Sequence, residues 1–312
     1  MIGIITVHED VHALAVMREL SRRCYTDCKI IAVDQIRSIH RLNVRLGRNG
    51  VTSEVVAKDG SAIRGSDLRV LWLRRPRADQ VDILEDEPHT TSDLINNECR
   101  GAISGLLGTS FRGRWISTIE ATVRASDKLI QLNAARSCGF RIPETLVSQS
   151  QNEVSEFFHN FNGKVIVKPI VGVQGPILLT RFLSNPWELD SASFEVCPGL
   201  YQEFISGTRH IRLNCFGTKS FAASIDTEDL DWRPNLNVPI HVWNVSDDLH
   251  RRVRRVLDHL GLEMGIIDLK ETPGGELVWL EVNPQGQFLF LESLTNEPLA
   301  SHFADFLLSF LD

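Results

Sequence analysis

The chain has 312 residues, 43% hydrophobic and 23% charged, a composition that suits a globular protein with a sizeable core and two or three subdomains. Its net charge of −7 supplies no general basic surface, which argues against nucleic acid as the main partner while leaving local basic sites open. The start, MIGIITVHED, shows neither a basic leader nor an apolar run of signal-peptide length, and no later run is long enough to span a bilayer, so a cytoplasmic protein with no membrane partner is expected.

In chain order, Ile2 to Val7 is a short apolar run, Asp10 to Leu20 places Val11, Leu14, Ala15 and Leu20 at helical spacing, and Cys28 to Val33 is a second apolar run. This β-α-β opening predicts a parallel sheet with crossover helices. It lacks G-x-G-x-x-G, so a dinucleotide site is not expected. His8 and His12 bracket Asp10, a weak metal pattern at the end of a strand. The strand Arg69 to Leu73 ends in Arg74-Arg75-Pro76, at the end of an open sheet where ligands bind, and arginine suits carboxylate or phosphate; a solvated strand end explains the pair equally well.

Ser92 to Leu107 reads as a helix, and a further helix runs to Cys138-Gly139, with Gly139 as its C-cap and Pro143 preventing continuation. Thr145 to Val147 opens a new unit. Gly163 to Pro169 is a strand carrying Lys168 among apolar residues, followed by the glycine-containing Gly172-Val173-Gln174-Gly175. A partly buried lysine needs an anionic partner, and such a loop lets backbone amides approach phosphate oxygens, though an edge-strand lysine looks the same. Gly199 to Ile205 is a strand, and alternation along the next one puts His210, Arg212 and Asn214 on one face. Asp231-Trp232-Arg233 lies in an acidic loop. Leu249 to Leu260 is an amphipathic helix ending at Gly261, whose Arg251, Arg252, Arg254 and Arg255 read as a solvated face. Leu299 to Leu311 closes the chain with Phe303, Phe306 and Phe310 at core spacing. The six cysteines form no C-x-x-C pair and read as reduced, mostly buried thiols.

The most informative stretch is Met264 to Glu292. Two apolar runs flank Thr272-Pro273-Gly274-Gly275, and a Gly-Gly pair takes the positive φ angles of a two-residue hairpin. With Gly274-Gly275 as the loop, Asp268 faces Glu281 and Ile266 faces Asn283, so Asp268, Glu281 and Asn283 share one face. Two carboxylates directly across a ladder repel by a few tenths to ~1 kcal/mol unless a cation lies between them. A hard cation with oxygen ligands, Mg²⁺ above all, is the expected occupant, and Mg²⁺ held by few carboxylates brings a nucleotide's phosphates with it.

Together, Asp127-Lys128, VIVKP, QEFISGTRHIR and IIDLKETPGGELVWLEVNPQGQ, in that order, resemble an ATP-grasp ligase. More narrowly, Asp10-Val11-His12-Ala13, LWLRRP, Asp231-Trp232-Arg233 and EVNPQGQFLFLE resemble the macrocyclases that make graspetides, the microviridin-type ribosomal peptides. The resemblance implies an α/β chain, α+β in its C-terminal part, with an N-terminal pre-ATP-grasp domain over 1–124, a central subdomain over 125–200 and a C-terminal subdomain over 201–312, ATP being bound between the last two. It implies that Lys128 and Lys168 hold ATP phosphates and that Gln202, Glu203, Phe204 and Ile205 form the hinge beside adenine, with backbone groups of Glu203 and Ile205 pairing to the base. Asp268, Glu281 and Asn283 would hold Mg²⁺, and Arg212 would face the transferred phosphoryl group, with Arg233 a second catalytic candidate. Arg74, Arg75 and Arg233 would hold acidic side chains of a precursor peptide with a leader and an acidic core. A homodimer is also implied. His210 departs from the pattern, since relatives commonly carry an acidic residue two positions before this arginine, which bears on the ribose contact or the charge balance there. The competing readings are an ATP-grasp ligase that joins free amino acids or adds glutamate to a protein tail, and a non-catalytic nucleotide-dependent scaffold.

Overall fold

The computed structural model describes residues 1–36, 40–57, 60–74, 89–171 and 178–311. They form two compact units, one of residues 1–119 with 287–292 and 298–312, the other of residues 120–286 with 293–297. Among the described residues no helix is long and apolar enough to cross a membrane.

The first unit opens with β1 (Ile2–Thr6), α1 (Val11–Arg22) and β2 (Cys28–Ala32), the β-α-β unit expected from the apolar runs, and β1 and β2 pair in parallel. Strands β3 (Arg41–Gly47), β4 (Gly50–Val56) and β5 (Ala62–Arg64) form a small antiparallel sheet. With β6 (Val70–Leu73) and β7 (Arg114–Ile116), separated by α2 (His89–Ser110), the parallel sheet is completed in the order β2-β1-β6-β7. Its central strands β1 and β6 are buried on both faces, which is why they read as unbroken apolar runs. Ile5, Leu71 and Leu73 pack with Leu106, Leu107 and Phe111 into one core cluster.

The second unit begins with α3 (Ile119–Ala125) and α4 (Lys128–Ser137). Asp127 caps α4 by accepting from the amides of Leu129 and Ile130 at 2.8 and 3.2 Å. The helix ends at Cys138 and Gly139 follows with φ +83°, as the sequence predicts. Next come β8 (Thr145–Ser148), α5 (Gln151–Asn160), β9 (Val165–Lys168), β10 (Arg181–Phe182), α6 (Ala192–Glu195) and β11 (Gly199–Glu203), whose strands form an antiparallel sheet in the order β10-β9-β11-β8. The largest sheet takes β12 (Arg209–Phe216), β13 (Lys219–Asp226), β14 (Ile240–Trp243), β15 (Met264–Glu271) and β16 (Leu277–Asn283) in the order β14-β13-β12-β15-β16, with α7 (Asp247–Leu260) between β14 and β15. The chain closes with α8 (Leu289–Thr295) and α9 (Leu299–Leu308).

Alternation divides the strands of the large sheet. Ile211, Leu213, Cys215, Ile267 and Leu269 turn one way into the core with Leu249, Val253, Val256, Leu257 and Leu260 of α7. Each fully buried side chain of that size contributes about 1.5–3 kcal/mol, and the stripe on α7 therefore anchors the helix firmly. His210, Arg212, Asn214, Asp268 and Lys270 turn the other way. Gln131 ties α4 to this sheet, its Oε1 accepting from the amide of Val282 at 2.9 Å.

Three sequence readings need correction. The hairpin loop is not Gly274-Gly275 alone: the amide of Thr272 donates to the carbonyl of Glu276 at 2.9 Å, so Pro273, Gly274 and Gly275 form a three-residue loop, and Gly275 takes φ +81°. That longer loop pairs Glu271 with Leu277 and Leu269 with Trp279. A β-bulge between Asp268 and Leu269 absorbs Leu280 and restores the expected partners, Asp268 with Glu281 and Ile266 with Asn283. Of the α7 arginines only Arg251 and Arg255 are exposed. Arg252 stacks 4.2 Å above the Phe140 ring, and Arg254 donates to the carbonyls of Leu262 and Glu263. Finally, all six cysteines are free thiols, but only Cys28 and Cys215 are buried.

Gly261 ends α7 with φ +76°, its amide donating to the Asp258 carbonyl at 3.0 Å while the Leu262 amide donates to that of Leu257 at 2.8 Å. Gly261→Ala is therefore expected to lower the unfolding free energy by about 1–2 kcal/mol, the cost of a left-handed conformation for an L-residue, with the slope of a urea titration unchanged.

Candidate functional site

The site is built on the polar face of β12, β15 and β16. Arg212 lies opposite Asp268, which lies opposite Glu281 on its other side. Nη1 of Arg212 donates to both oxygens of Asp268, at 2.9 and 2.7 Å. The guanidinium carbon of Arg212 sits 5.4 Å from the centre of the Trp232 ring, a buried platform. Burial pushes the Asp268 carboxyl above the ordinary range; Arg212 pulls it back and Glu281 adds to the rise. The bulge is what makes this rung. In an unbroken ladder from the turn, Glu281 would stand opposite Ile267 and point with it toward the core. Asn283, two residues on from Glu281, shares its face, and its Oδ1 accepts from the Gln285 amide at 3.0 Å.

Three basic side chains, Arg212, Lys168 and Arg233, act on this pair of carboxylates, and Lys128 acts on Lys168. Lys168 ends β9, and burial pushes its pKa down to about 8; Glu281 and Asp268 act to raise it, Lys128 and Arg233 to lower it. Lys128, the first residue of α4, donates to the carbonyl of Ile170 at 2.8 Å. Arg233 is oriented by Asp231, its Nε donating to Oδ1 at 2.7 Å and its Nη2 to Oδ2. The bond to Asp231 raises the Arg233 pKa against burial, and the charges of Asp231, Glu281 and Asp268 act in the same direction. For Asp231 burial works to raise the pKa, but its bonds to Arg233 and the amides of Arg233 and Thr180 hold it below the usual carboxylate range. The Asp-Trp-Arg run thus supplies a clamp, a platform under Arg212 and a cation facing the two carboxylates.

At the other end of the face, β11 leads into Phe204 and Ile205. Gln202 is fully buried; its Nε2 donates to Thr145 Oγ1 at 2.8 Å, and its Oε1 has no partner among the described residues. The amides of Glu203 and Phe204 donate to the carbonyls of Glu144 and Lys164 at 3.0 and 2.9 Å. The Glu203 carboxylate turns away to accept from Arg141 at 3.1 Å. Phe204 packs on Phe182 with ring centres 5.0 Å apart.

The structure therefore brings together Lys128, Lys168, Arg212, Arg233, Asp268 and Glu281. Among the described residues no three His, Cys, Asp or Glu side chains form a metal cluster, so the candidate metal set consists of two carboxylates and the Asn283 amide oxygen. Arg74 has a different setting. It is 1% exposed, and its Nε lies 3.7 Å from Asp10 Oδ2 in the corner between β1 and α1. Burial works to raise the Asp10 pKa, but the hydrogen bond from Thr6 at 2.6 Å and the Arg74 charge hold it below the ordinary range. Arg74 thus sits buried beside the Asp10 carboxylate. His12 joins the same corner rather than a metal: its Nε2 accepts from the amides of Phe288 and Leu289 at 3.1 and 3.3 Å. Arg75 and the segment Gly172 to Gly175 lie outside the described residues.

Sequence reasoning missed two features here. Lys270, two residues beyond Asp268 on the same face, pairs with His210, which alternation had already put beside Arg212. The buried Gln202 oxygen left no signal in the sequence, since its lack of a partner is a tertiary fact.

No family model and no curated protein sequence matches the chain. Solved structures do. The macrocyclase MdnC bound with precursor peptide MdnA from Microcystis aeruginosa MRC superposes with a TM-score of 0.85 at 21% identity, covering 99% of both chains. A RiPP-associated ATP-grasp ligase of Chryseobacterium gregarium, in complex with ADP and a leader and core peptide, gives 0.86 at 22% identity over 99% of this chain and 96% of that one. The ATP-grasp ligase PsnB, complexed with minimal precursor, Mg and ADP, gives 0.80 at 21% over 100% and 97%. These likenesses establish the fold, which is ATP-grasp over the whole chain.

The cluster is open to direct titration. With ¹³C-labelled lysine, Lys168 should titrate near pH 8. Glu281→Gln, which deletes a neighbouring negative charge, should move its midpoint lower, and Lys128→Met should move it higher. A midpoint insensitive to both changes would dissolve the cluster.

Proposed function

We propose that this chain is an ATP-dependent macrocyclase of a ribosomally made precursor peptide. The observation that carries the reading is the convergence of Lys168, Arg212 and Arg233 on Asp268 and Glu281, which face each other across one rung, with Lys128 beside Lys168. Such a cluster is designed for a polyphosphate and a hard cation together. The donor set fits Mg²⁺, which prefers a small number of carboxylate and amide oxygens and shares its remaining positions with phosphates. The hinge fits a purine: the unpartnered buried Oε1 of Gln202 suits an amino group such as that of adenine, and the backbone of Glu203 and Ile205 is the remaining pairing edge. The peptide substrate is supported by the likeness in fold to enzymes solved with precursor peptides.

In this reading Lys128 and Lys168 hold the phosphates and Arg212, fixed by Asp268 and Trp232, faces the phosphoryl group in transfer. Mg²⁺ held by Asp268, Glu281 and Asn283 would neutralise charge that spreads over the phosphate oxygens. An Asp or Glu side chain of the peptide attacks the γ-phosphorus, the bond to the bridging oxygen breaks, and ADP leaves with the electron pair. A Ser or Thr hydroxyl, or a Lys amine, of the same peptide then attacks the acyl carbon. Phosphate departs, and the proton of the attacking group leaves with it. The ring closes as a side-chain ester or amide, and no enzyme nucleophile is needed. Arg233 holds the acidic side chain that is to be activated, and Arg75 is a further candidate for that task.

Intact-mass analysis of a candidate precursor incubated with enzyme, MgATP and buffer tests the reading: loss of one water per ring with matching ADP is expected. ADP formed only with free amino acids would favour the amino-acid ligase, and no ADP with any acceptor would favour a scaffold. Asp268→Asn and Glu281→Gln should each abolish turnover while circular dichroism stays native. Arg233→Ala should lower peptide turnover more than it weakens ATP binding; an equal loss of both would assign Arg233 to the nucleotide.

A further inference from the structure

Two rungs from the Arg212–Asp268 pair and on the same face, His210 of β12 lies opposite Lys270 of β15. Lys270 Nζ stands 3.0 Å from His210 Nε2, and each residue is only 5% exposed. An ammonium has only donors, so His210 Nε2 is the acceptor of this bond and the ring proton is on Nδ1, which faces the backbone of Asp229. Burial and the Lys270 charge push the His210 pKa down to about 4, which keeps the ring neutral and able to accept. The Phe204 ring is centred 6.0 Å from Lys270 Nζ.

Among the described residues, Lys270 is therefore a buried lysine whose one hydrogen-bond partner is the neutral His210 ring, with no carboxylate paired to it. A fold that keeps such a group bears a desolvation cost unless a ligand supplies acceptor oxygens. Where the ligand would come from follows from the register. Lys270 is two residues from Asp268, about 6.5–7 Å along the strand, and it sits beside Phe204 of the hinge. On the nucleotide reading, the base lies at Glu203 to Ile205 and the phosphates at Asp268 and Lys168, so the sugar that joins them passes this rung.

We propose that Lys270 is a nucleotide-binding residue that donates to the ribose hydroxyl oxygens of the bound nucleoside triphosphate, with His210 as its positioning residue. The polarity is the reverse of a carboxylate at this place: the sugar oxygens accept rather than donate. The inference rests on the proposed ATP site.

The test is calorimetric binding of MgATP and of its 2′-deoxy and 3′-deoxy analogues to the whole protein without peptide. A hydrogen bond to a charged donor is worth roughly 10- to 100-fold in affinity, so the native protein should prefer ATP over at least one analogue by about that factor. Lys270→Met should bind all three nucleotides equally, Lys270→Arg should keep part of the preference, and His210→Leu should reduce it. Thermal melting without nucleotide provides the second readout: loss of a buried, unpaired cation should leave Lys270→Met as stable as the native chain or more so, whereas a purely structural lysine would lower the melting point. Lys270→Gln repeats the measurement should the methionine variant not fold. Equal affinity of the native protein for all three nucleotides, or an unchanged preference in the Lys270 variants, overturns the assignment of Lys270 and leaves the ATP site standing. No binding of MgATP to the native protein overturns the ATP site, and this inference with it.

Discussion

Two carboxylates facing each other across one rung of a half-buried ladder are the constraint on which the second unit depends. Unbalanced, Asp268 and Glu281 would repel each other and resist desolvation at the same time. The chain meets that cost locally with Arg212, whose Nη1 bonds both oxygens of Asp268 and whose guanidinium lies on Trp232. Removing one partner of such a buried pair costs about 3–5 kcal/mol, because the other charge is left stranded. Arg212 is thus both an element of stability and a charge aimed at the site, and the two roles cannot be separated by substitution of that residue alone.

The surrounding charges have a sign of their own. A chain with a net charge of −7 gathers Lys168, Arg212 and Arg233 around two carboxylates, with Lys128 next to Lys168, so the site is locally cationic within an acidic protein. That contrast narrows the partner to something small and strongly anionic, or to an acidic segment admitted to one place, and it disfavours a long polyanion lying over the surface. Two of the four cations are rigidly held, Arg212 by Asp268 and Arg233 by Asp231, and the amine of Lys128 rests on a backbone carbonyl. Preorganised donors of this kind stabilise transferring charge without having to reorganise as it moves.

Much of this was legible in the sequence because it depends on period and order. Apolar runs gave the parallel sheet, α7 was visible in its spacing and in Gly261, and alternation placed Arg212 on one face with His210 and Asn214. The pairing of Asp268 with Glu281 was also legible, though for an incomplete reason. A two-residue loop and an unbroken ladder predict the same rung as a three-residue loop followed by one bulge, since the extra turn residue and the absorbed Leu280 cancel. No local pattern separates those cases, because a bulge is decided by which side chains the two faces will accept. Trp279 fits the core beside Leu269, and Glu281 does not, so the strand slips by one residue between them. What local pattern did not reveal was tertiary: the burial of Arg74 against Asp10, and the partnerless oxygen of Gln202.

The replacement of an expected acid by His210 becomes intelligible only beside Lys270. A carboxylate at position 210 would form an ion pair with the Lys270 ammonium, satisfying the lysine within the protein and lowering its call on a ligand. A neutral imidazole gives Lys270 one acceptor at 3.0 Å and no ion pair across the ladder. The protein then carries a desolvation debt on this rung while the next rung of the same face, Arg212 with Asp268, is an ion pair. A fold that neutralises one rung and leaves its neighbour charged has separated two tasks along a single pair of strands: one rung holds its shape without a ligand, and the other gains its full stability only when a ligand's oxygens arrive.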